Sequence, residues 1–346
     1  MGQVKCKPVG PANAKIVIVG ESPSEHEVKS GVLFSGSSGD ELTRLLSEAG
    51  IDREQCYLTS VFKHRPPNGS LENYCVSKKE LPLDYSYPYL YYGKYIAPKY
   101  LSDVEETKDE LKQLSPNLII ALGSTASWFF NLGPITTARG IVARSEYGKV
   151  IPTFHPSAVL RQWSNRTVVM ADLLKAAHES TFPDVRRPQR ELWVEPTLSE
   201  VTRFFSLHLF PAKEISLDIE NPGGQLHCLA LAPSPTIAIC IPFIDPRKPD
   251  RNYWSYADEC QVWRLIRKLL VDGTISKRYK TIGQNLLYDV QHLAKAGCKL
   301  ASIDDDTMLA HHAMYPEMRK GLGFLGSIYT NELSWKQMHK DLGRDK

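Results

Sequence analysis

Between Lys15 and Ala49 the sequence runs from an apolar stretch, Lys15 to Val19, through GESPSEHEVKSGVLFSGSSG at Gly20 to Gly39, into the helical pattern Asp40 to Ala49. A strand, a loop rich in Gly, Ser and Pro, and a helix, in that order, form one step of a parallel α/β sheet. The loop then sits at the strand's carboxyl end, where backbone N–H groups and small side chains meet ligands in open α/β sheets. Many α/β proteins use such a loop only to turn the chain. Here its content points further: Glu21 and Glu25 stand close behind the strand, Phe34 is set among small residues, and a second loop far downstream reads HPS at 155–157.

The alternation continues. Strand-like runs recur at Tyr57–Phe62, Asn117–Leu122 and Val150–Phe154, and helical patterns at Asp103–Leu114, Ser124–Leu132 and Thr167–Glu179. This predicts an α/β/α domain on a parallel four-stranded sheet. Its strands lead into GESPS, KHRPPNGS, GSTAS and HPSAVLR, loops that a parallel sheet gathers at one edge. An insertion at about Leu71–Leu101 holds seven tyrosines between Tyr85 and Tyr100. Such rings can stack on the bases of a single strand, or pack on one another as a surface hairpin.

At 346 residues there is room for two domains. The residues at 182–196, FPDVRRPQRELWVEP, are rich in proline and charge and predict a linker between domains at 1–181 and 197–346. No apolar run approaches the ~20 residues of a membrane span, and Met1–Gly10 lacks a signal peptide's apolar core, so a cytoplasmic protein without a membrane partner is expected. The net charge of +3 does not by itself identify a nucleic-acid partner. Seven cysteines with no CxxC pair argue against a disulfide framework.

The second half reads as a helix at Leu198–Leu209, strands at Glu214–Ile219, His227–Ala232, Thr236–Pro242 and Lys280–Ile282, and helices at Tyr256–Leu270 and Leu286–Ala296, a mixed α/β pattern. Asp218 and Glu220 end the first of these strands, and alternation puts both on one face. Two acids so placed repel unless a cation lies between them or one takes a proton, which points to a divalent metal. Gly283–Asp289, GQNLLYD, also follows a strand and adds Asn285 and Asp289. This half resembles the proofreading 3′–5′ exonuclease domain of family-A DNA polymerases, whose first motif contains DxE and whose second reads NxxxD. The stretches DTMLAHH from Asp306 and GLGFLGSIYT resemble the family's segment after that motif. The resemblance implies a ribonuclease-H-like mixed sheet, with Asp218, Glu220 and Asp289 as catalytic ligands of Mg²⁺ or Mn²⁺ and Asn285 among the DNA contacts. The family's third motif, YxxxD, has no counterpart after Asp306, so an incomplete carboxyl end is expected. The rest of a polymerase would then be supplied by the same or a separate chain.

The first half resembles the uracil-DNA glycosylase superfamily, above all its family-4 branch and the glycosylase-like domain ahead of the exonuclease in some phage DNA polymerases. GESPS stands for GE(G/A)PG, SGVLFSGSSG for GxPFxGxAG, LTSVFKHRPP for TNxVKCRPP and HPSAVLR for HPAxxLR, in the family's order. The resemblance implies DNA as the partner, Phe34 stacking on a flipped base, His155 hydrogen-bonding the charge growing on it and Glu21 activating water. Ser157 would lie near a phosphate, and Leu160 and Arg161 at the strand being pried open. Ser60 replaces the Asn that reads uracil's edge. His64 replaces one cluster cysteine and Cys6 lacks its partner, so no iron–sulfur cluster is expected. The combined expectation is the amino-terminal part of a phage-type family-A DNA polymerase, acting in the host cytoplasm with possible replication partners. The alternatives are an active uracil-excision enzyme that also trims ends and a non-catalytic module that docks DNA or a protein.

Overall fold

Val17, Ile18 and Val19 are all fully buried, although successive residues of a strand face opposite ways. Ile18 enters one apolar cluster, and Val17 and Val19 enter another. The strand is therefore covered on both faces, and the domain has three layers. The computed structural model describes residues 5–91 and 93–332 and forms two compact units. Of the described residues, one holds those up to Arg187 and those at 323–332, the other Pro188–Leu322.

The first unit opens with β1 (Ile16–Gly20), α1 (Glu25–Ser30), α2 (Ser37–Glu48) and β2 (Cys56–Ser60). The insertion pairs β3 (Cys75–Val76) antiparallel with β4 (Tyr95–Ile96). Then come α3 (Leu101–Lys112), β5 (Leu118–Leu122), α4 (Gly123–Phe129), α5 (Ile135–Ala138), β6 (Ala143–Ser145), β7 (Gly148–Thr153), α6 (Pro156–Arg161) and α7 (Asn165–Glu179). The main sheet has the order β2-β1-β5-β7-β6. The four expected strands are parallel, and β6 adds an antiparallel edge through the short turn into β7. Leu42, Leu45 and Leu46 bury one face of α2 in the same cluster as Leu173 and Ala176 of α7. Val104 and Leu111 of α3 and Ala126 and Trp128 of α4 cover the other face of the sheet.

The tyrosines of the insertion pack largely on neighbouring rings. Tyr85 meets Tyr87 and Tyr95 at centroid distances of 5.9 Å, and Tyr87 stacks on Trp128 at 6.0 Å. Buried ion pairs fasten the layers: Lys149 Nζ donates to Glu179 Oε2 at 2.8 Å and to the carbonyls of Phe182 and Asp184. Arg139 donates to Asp172 and to Ser327 Oγ, so residues 323–332 belong physically to this unit.

The second unit begins with β8 (Glu191–Val194), a strand inside the segment expected to be linker. It continues with α8 (Leu198–Phe204), β9 (Glu214–Glu220), β10 (Cys228–Ser234), β11 (Ile237–Pro242), α9 (Tyr256–Arg267), α10 (Gly273–Ile275), β12 (Lys280–Gly283), α11 (Leu286–Lys295), β13 (Asp305–Asp306) and α12 (Thr307–Met314). The helix α13 (Leu322–Tyr329) follows. The mixed sheet runs β13-β12-β9-β10-β11-β8, with antiparallel pairs β9/β10 and β10/β11 and parallel pairs elsewhere. β9 alternates strictly, its Ile215, Leu217 and Ile219 buried against Phe204, Phe205 and Val262.

Candidate functional site

In the first unit the loop after β1, the last residue of β2 and the residue His155 after β7 meet at the carboxyl edge of the sheet around a cavity of about 300 Å³ whose walls include Glu21, Glu27, Phe34, Ser60 and His155. The loop after β1 is shaped by one carboxylate. Ser24 caps α1 and Glu27 closes the capping box, its Oε2 accepting from Ser24 N at 2.6 Å. The other oxygen of Glu27 accepts from Phe34 N and pins a residue at φ 53°. Arg53 Nη2 donates to Phe34 O at 2.9 Å, and its Nη1 to Gly39 O at 3.0 Å. Two glycines admit the ring and its backbone: a Cβ on Gly20 would lie 2.6 Å from Phe34 Cζ, and one on Gly39 1.7 Å from Phe34 O. Phe34 is thus buried at a set angle, its centroid 6.5 Å from His155 with the planes 28° apart.

His155 is the N-cap of α6. Its Nδ1 accepts from Ser157 N at 3.2 Å and lies 2.8 Å from Ser157 Oγ. Burial, and next the Arg161 charge, push its pKa down to about 4, so the ring is neutral near pH 7. With Nδ1 accepting, the single ring proton resides on Nε2; the tautomer follows from the hydrogen bonds. The positive φ of Gly123, +85°, and the 3.1 Å from a Cβ there to His155 Cβ explain the glycine of GSTAS. Ser157, expected near a phosphate, is here the partner that orients His155. Leu160 is 48% exposed and Arg161 is exposed, so both side chains reach solvent.

Glu21 follows β1 directly, and its Oε2 accepts from Thr125 Oγ1 at 2.6 Å. Ser60 is buried, and its hydroxyl donates to Phe62 O at 2.8 Å, so it turns onto its own chain. Glu27 was not among the residues expected from the sequence, although its S-x-x-E spacing from Ser24 is the signature of a capping box and could have pointed to it. Arg53 and Thr125 carry no local signal, because only the tertiary fold brings them here.

Cys6, His64 and the nearby Cys75 do not together supply four thiolates. Cys6 is buried, its thiol pushed up by burial and donating to Glu27 O at 3.6 Å. His64 Nδ1 lies 3.0 Å from Asp103, and the Cys75 thiol, pushed up to about 11 by burial, donates to Leu71 O at 3.4 Å.

In the second unit Asp218 and Glu220 share the open face of β9, as alternation predicted. Burial, then Asp289, then Glu220, push the Asp218 carboxyl up to about 6. Asp289, on α11, is buried; its Oδ1 accepts from Ile219 N at 2.9 Å, and burial raises its pKa. Asn285 stands exposed at φ 60°, as the N-cap residue of α11. Asp306 accepts from Asn285 N at 3.1 Å and Leu286 N at 2.8 Å, tying two helix starts to one carboxylate. Hard carboxylate oxygens suit Mg²⁺ or Mn²⁺. Among the described residues, however, no three His, Cys, Asp or Glu side chains are gathered closely enough to hold a metal ion.

The sequence pattern of the Uracil DNA glycosylase superfamily matches residues 7–177. The type-4 uracil-DNA glycosylase of Thermotoga maritima is 38% identical over 173 residues, covering 48% of this chain and 78% of that protein. A DNA polymerase of Bacillus phage SP01 is 28% identical over 166 residues, 47% of this chain and 16% of the polymerase. Among solved structures, Brucella melitensis NrnC with bound Mg²⁺ aligns over 44% of this chain and 72% of its own, at 17% identity and a TM-score of 0.27, a likeness too slight to bear on the fold.

Proposed function

The chain belongs, through its first unit, to the uracil-DNA glycosylase superfamily, and on that premise we propose that this unit takes a base flipped out of DNA into the Phe34–His155 pocket and excises uracil. The observation that carries the reading is the neutral His155, held by Ser157 with its Nε2 proton available beside the Phe34 ring. As the N-glycosidic bond breaks, its electron pair leaves with the base, and His155 Nε2–H donates to the carbonyl oxygen on which that charge collects. Water adds to the sugar carbon and gives its proton to Glu21. Phe34 supplies the apolar wall that a stacked base requires. Leu160 and Arg161, exposed in the last turn of α6, are suited to the opened strand.

Incubation with uracil-containing and plain single-stranded DNA, followed by alkaline cleavage at abasic sites, tests this directly. Abasic product that vanishes in His155→Ala is expected. Its absence from the wild-type protein at high concentration would leave this unit as a DNA-docking module.

A second reading adds to the first, and the phage polymerase match together with the carboxylate face of β9 favours it. We propose that the chain acts in DNA replication, its second unit being a proofreading 3′–5′ exonuclease-like domain. Asp218 and Glu220, on one face of β9, and Asp289 on α11 are the acids such a domain would use for Mg²⁺ or Mn²⁺, although as placed the three are not gathered into a metal site. Asn285, exposed at the start of α11, would contact the DNA end. Metal-dependent shortening of single strands from the 3′ end that persists in Asp218→Ala would refute the assignment.

A further inference from the structure

The tyrosine-rich insertion takes no part in the chemistry above, yet one of its side chains ends at Glu21. The Tyr91 hydroxyl donates to Glu21 Oε2 at 3.3 Å and lies 3.3 Å from Thr125 Oγ1, the other donor to that oxygen. The approach is built into the unit. Trp128 Nε1 on α4 donates to Pro88 O at 3.0 Å, and the same indole stacks on Tyr87. Lys108 Nζ on α3 donates to Tyr87 Oη at 2.6 Å. Tight backbone bonds, Leu90 N to Lys94 O at 2.8 Å and Lys94 N to Tyr91 O at 2.6 Å, turn the chain just where Tyr91 must point inward. Burial, and next the Glu21 charge, push the Tyr91 phenol up to about 12, which keeps it a donor throughout the working pH range.

We propose that Tyr91 is a positioning residue for Glu21, and that the insertion exists in part to deliver it. Two hydroxyls, one from α4 and one from the insertion, occupy Oε2. Oε1 then has no bonded partner among the described residues and is the oxygen left to meet water at the sugar. A carboxylate with one oxygen fastened cannot rotate away, and orientation of this kind acts on the rate of the chemical step rather than on substrate capture. Tyr91 does not line the cavity itself and so acts only through Glu21.

The inference rests on the excision reading, and the test separates the two. In the full chain, Tyr91→Phe keeps the ring and its packing and removes only the donor. Excision kcat is expected to fall about tenfold, the effect of a hydrogen bond to a charged group, with KM unchanged within about twofold. Thr125→Val should act in the same direction and serves if Tyr91→Phe does not fold. A Tyr91→Phe protein with wild-type kcat, or with its loss confined to KM, overturns the proposal while leaving the excision reading intact. If the wild-type protein excises nothing, that reading fails and the positioning is judged by thermal unfolding. The melting shifts of Tyr91→Phe and Glu21→Gln should then combine non-additively, and additive shifts overturn it.

Discussion

Gly39→Ala tests whether the pocket wall is held as described. Gly39 lies in α2 with helical backbone, so no left-handed conformation demands glycine there. The requirement is contact: an added Cβ would stand 1.7 Å from Phe34 O and 2.3 Å from Phe34 C. Both are backbone atoms that no rotamer change removes, so α2 and the Phe34 turn must separate by more than ~1 Å, an overpacking cost of roughly 1–3 kcal/mol. The shift also disturbs the Phe34 bonds to Glu27 and Arg53, each to a charged partner and worth roughly 1.5–3 kcal/mol when lost outright. A total of about 3–5 kcal/mol in a unit of this size lowers its melting temperature by about 10 °C or more. Displacing the ring removes base stacking worth ~1–3 kcal/mol, or about 5- to 150-fold in affinity for uracil-containing single strands. Calorimetry and fluorescence-anisotropy titration read the two effects. Gly31→Ala is the control: φ is +71° and nothing lies within 4 Å, so it should cost only ~1 kcal/mol and leave DNA affinity unchanged. A Gly39→Ala protein with wild-type melting and binding would refute the pinned-Phe34 geometry.

His155 should make the first unit acid-sensitive. Its folded pKa of about 4 lies below the ordinary 6.5, so the unfolded chain binds the extra proton and stability falls with pH across that window, by at most about 3 kcal/mol, with the full value present above 6.5. Melting curves from pH 7 to pH 4 should show a slope that His155→Gln flattens, and an unchanged slope would count against a buried neutral ring. Asp218 has the opposite sign. Its folded pKa of about 6 exceeds the ordinary 3.8, so ionisation destabilises the second unit as pH rises through that range, and screening at an exposed carboxylate leaves about 1 kcal/mol of the effect. Asp218→Asn should therefore raise melting at pH 8 but not at pH 4. Ser60→Asn should raise the preference for uracil over cytosine about tenfold or more in competition assays, because it offers the pocket an amide where a hydroxyl now faces Phe62 O.

Much of the fold was legible because apolar runs and helical periods are local signals. The four parallel strands of the first unit and the mixed sheet of the second fall where the pattern put them. β8 escaped because its four residues lie among prolines and charges and gain strand character only by pairing with Ile237–Cys240, far along the chain. The segment GLGFLGSIYT reads by resemblance as a continuation of the second half. Yet Lys175 Nζ, between Gly140 O and Thr330 O, and Arg139, on Ser327, fasten it to the first unit, and no local pattern encodes such contacts. In the pocket, Glu21, Phe34 and His155 could be named in advance because each sits in a loop at a strand end. Arg53, Thr125 and Tyr91 could not, since each arrives from a different element and matters only through the residue it holds.

The chemistry of the pocket and its choice of base rest on different residues, and the structure treats them differently. On the proposed excision, leaving-group stabilisation needs a neutral donor, and His155 offers one, held by Ser157 beside the Phe34 ring. Discrimination needs a side chain that exchanges hydrogen bonds with the base edge, and the buried Ser60 hydroxyl is already bonded to its own backbone. On the excision reading, such a pocket would keep its leaving-group donor while losing selectivity, because an unmatched base edge there leaves no buried partner unsatisfied. The consequence reaches the fused unit. Excision with loose base choice would be harmful on every duplex base but tolerable on single strands presented at a replication site, where only a short stretch is exposed at a time. If both proposed activities hold, a unit that excises uracil with Ser60 in its pocket and a unit that trims strand ends would suit one another better than either would suit acting alone.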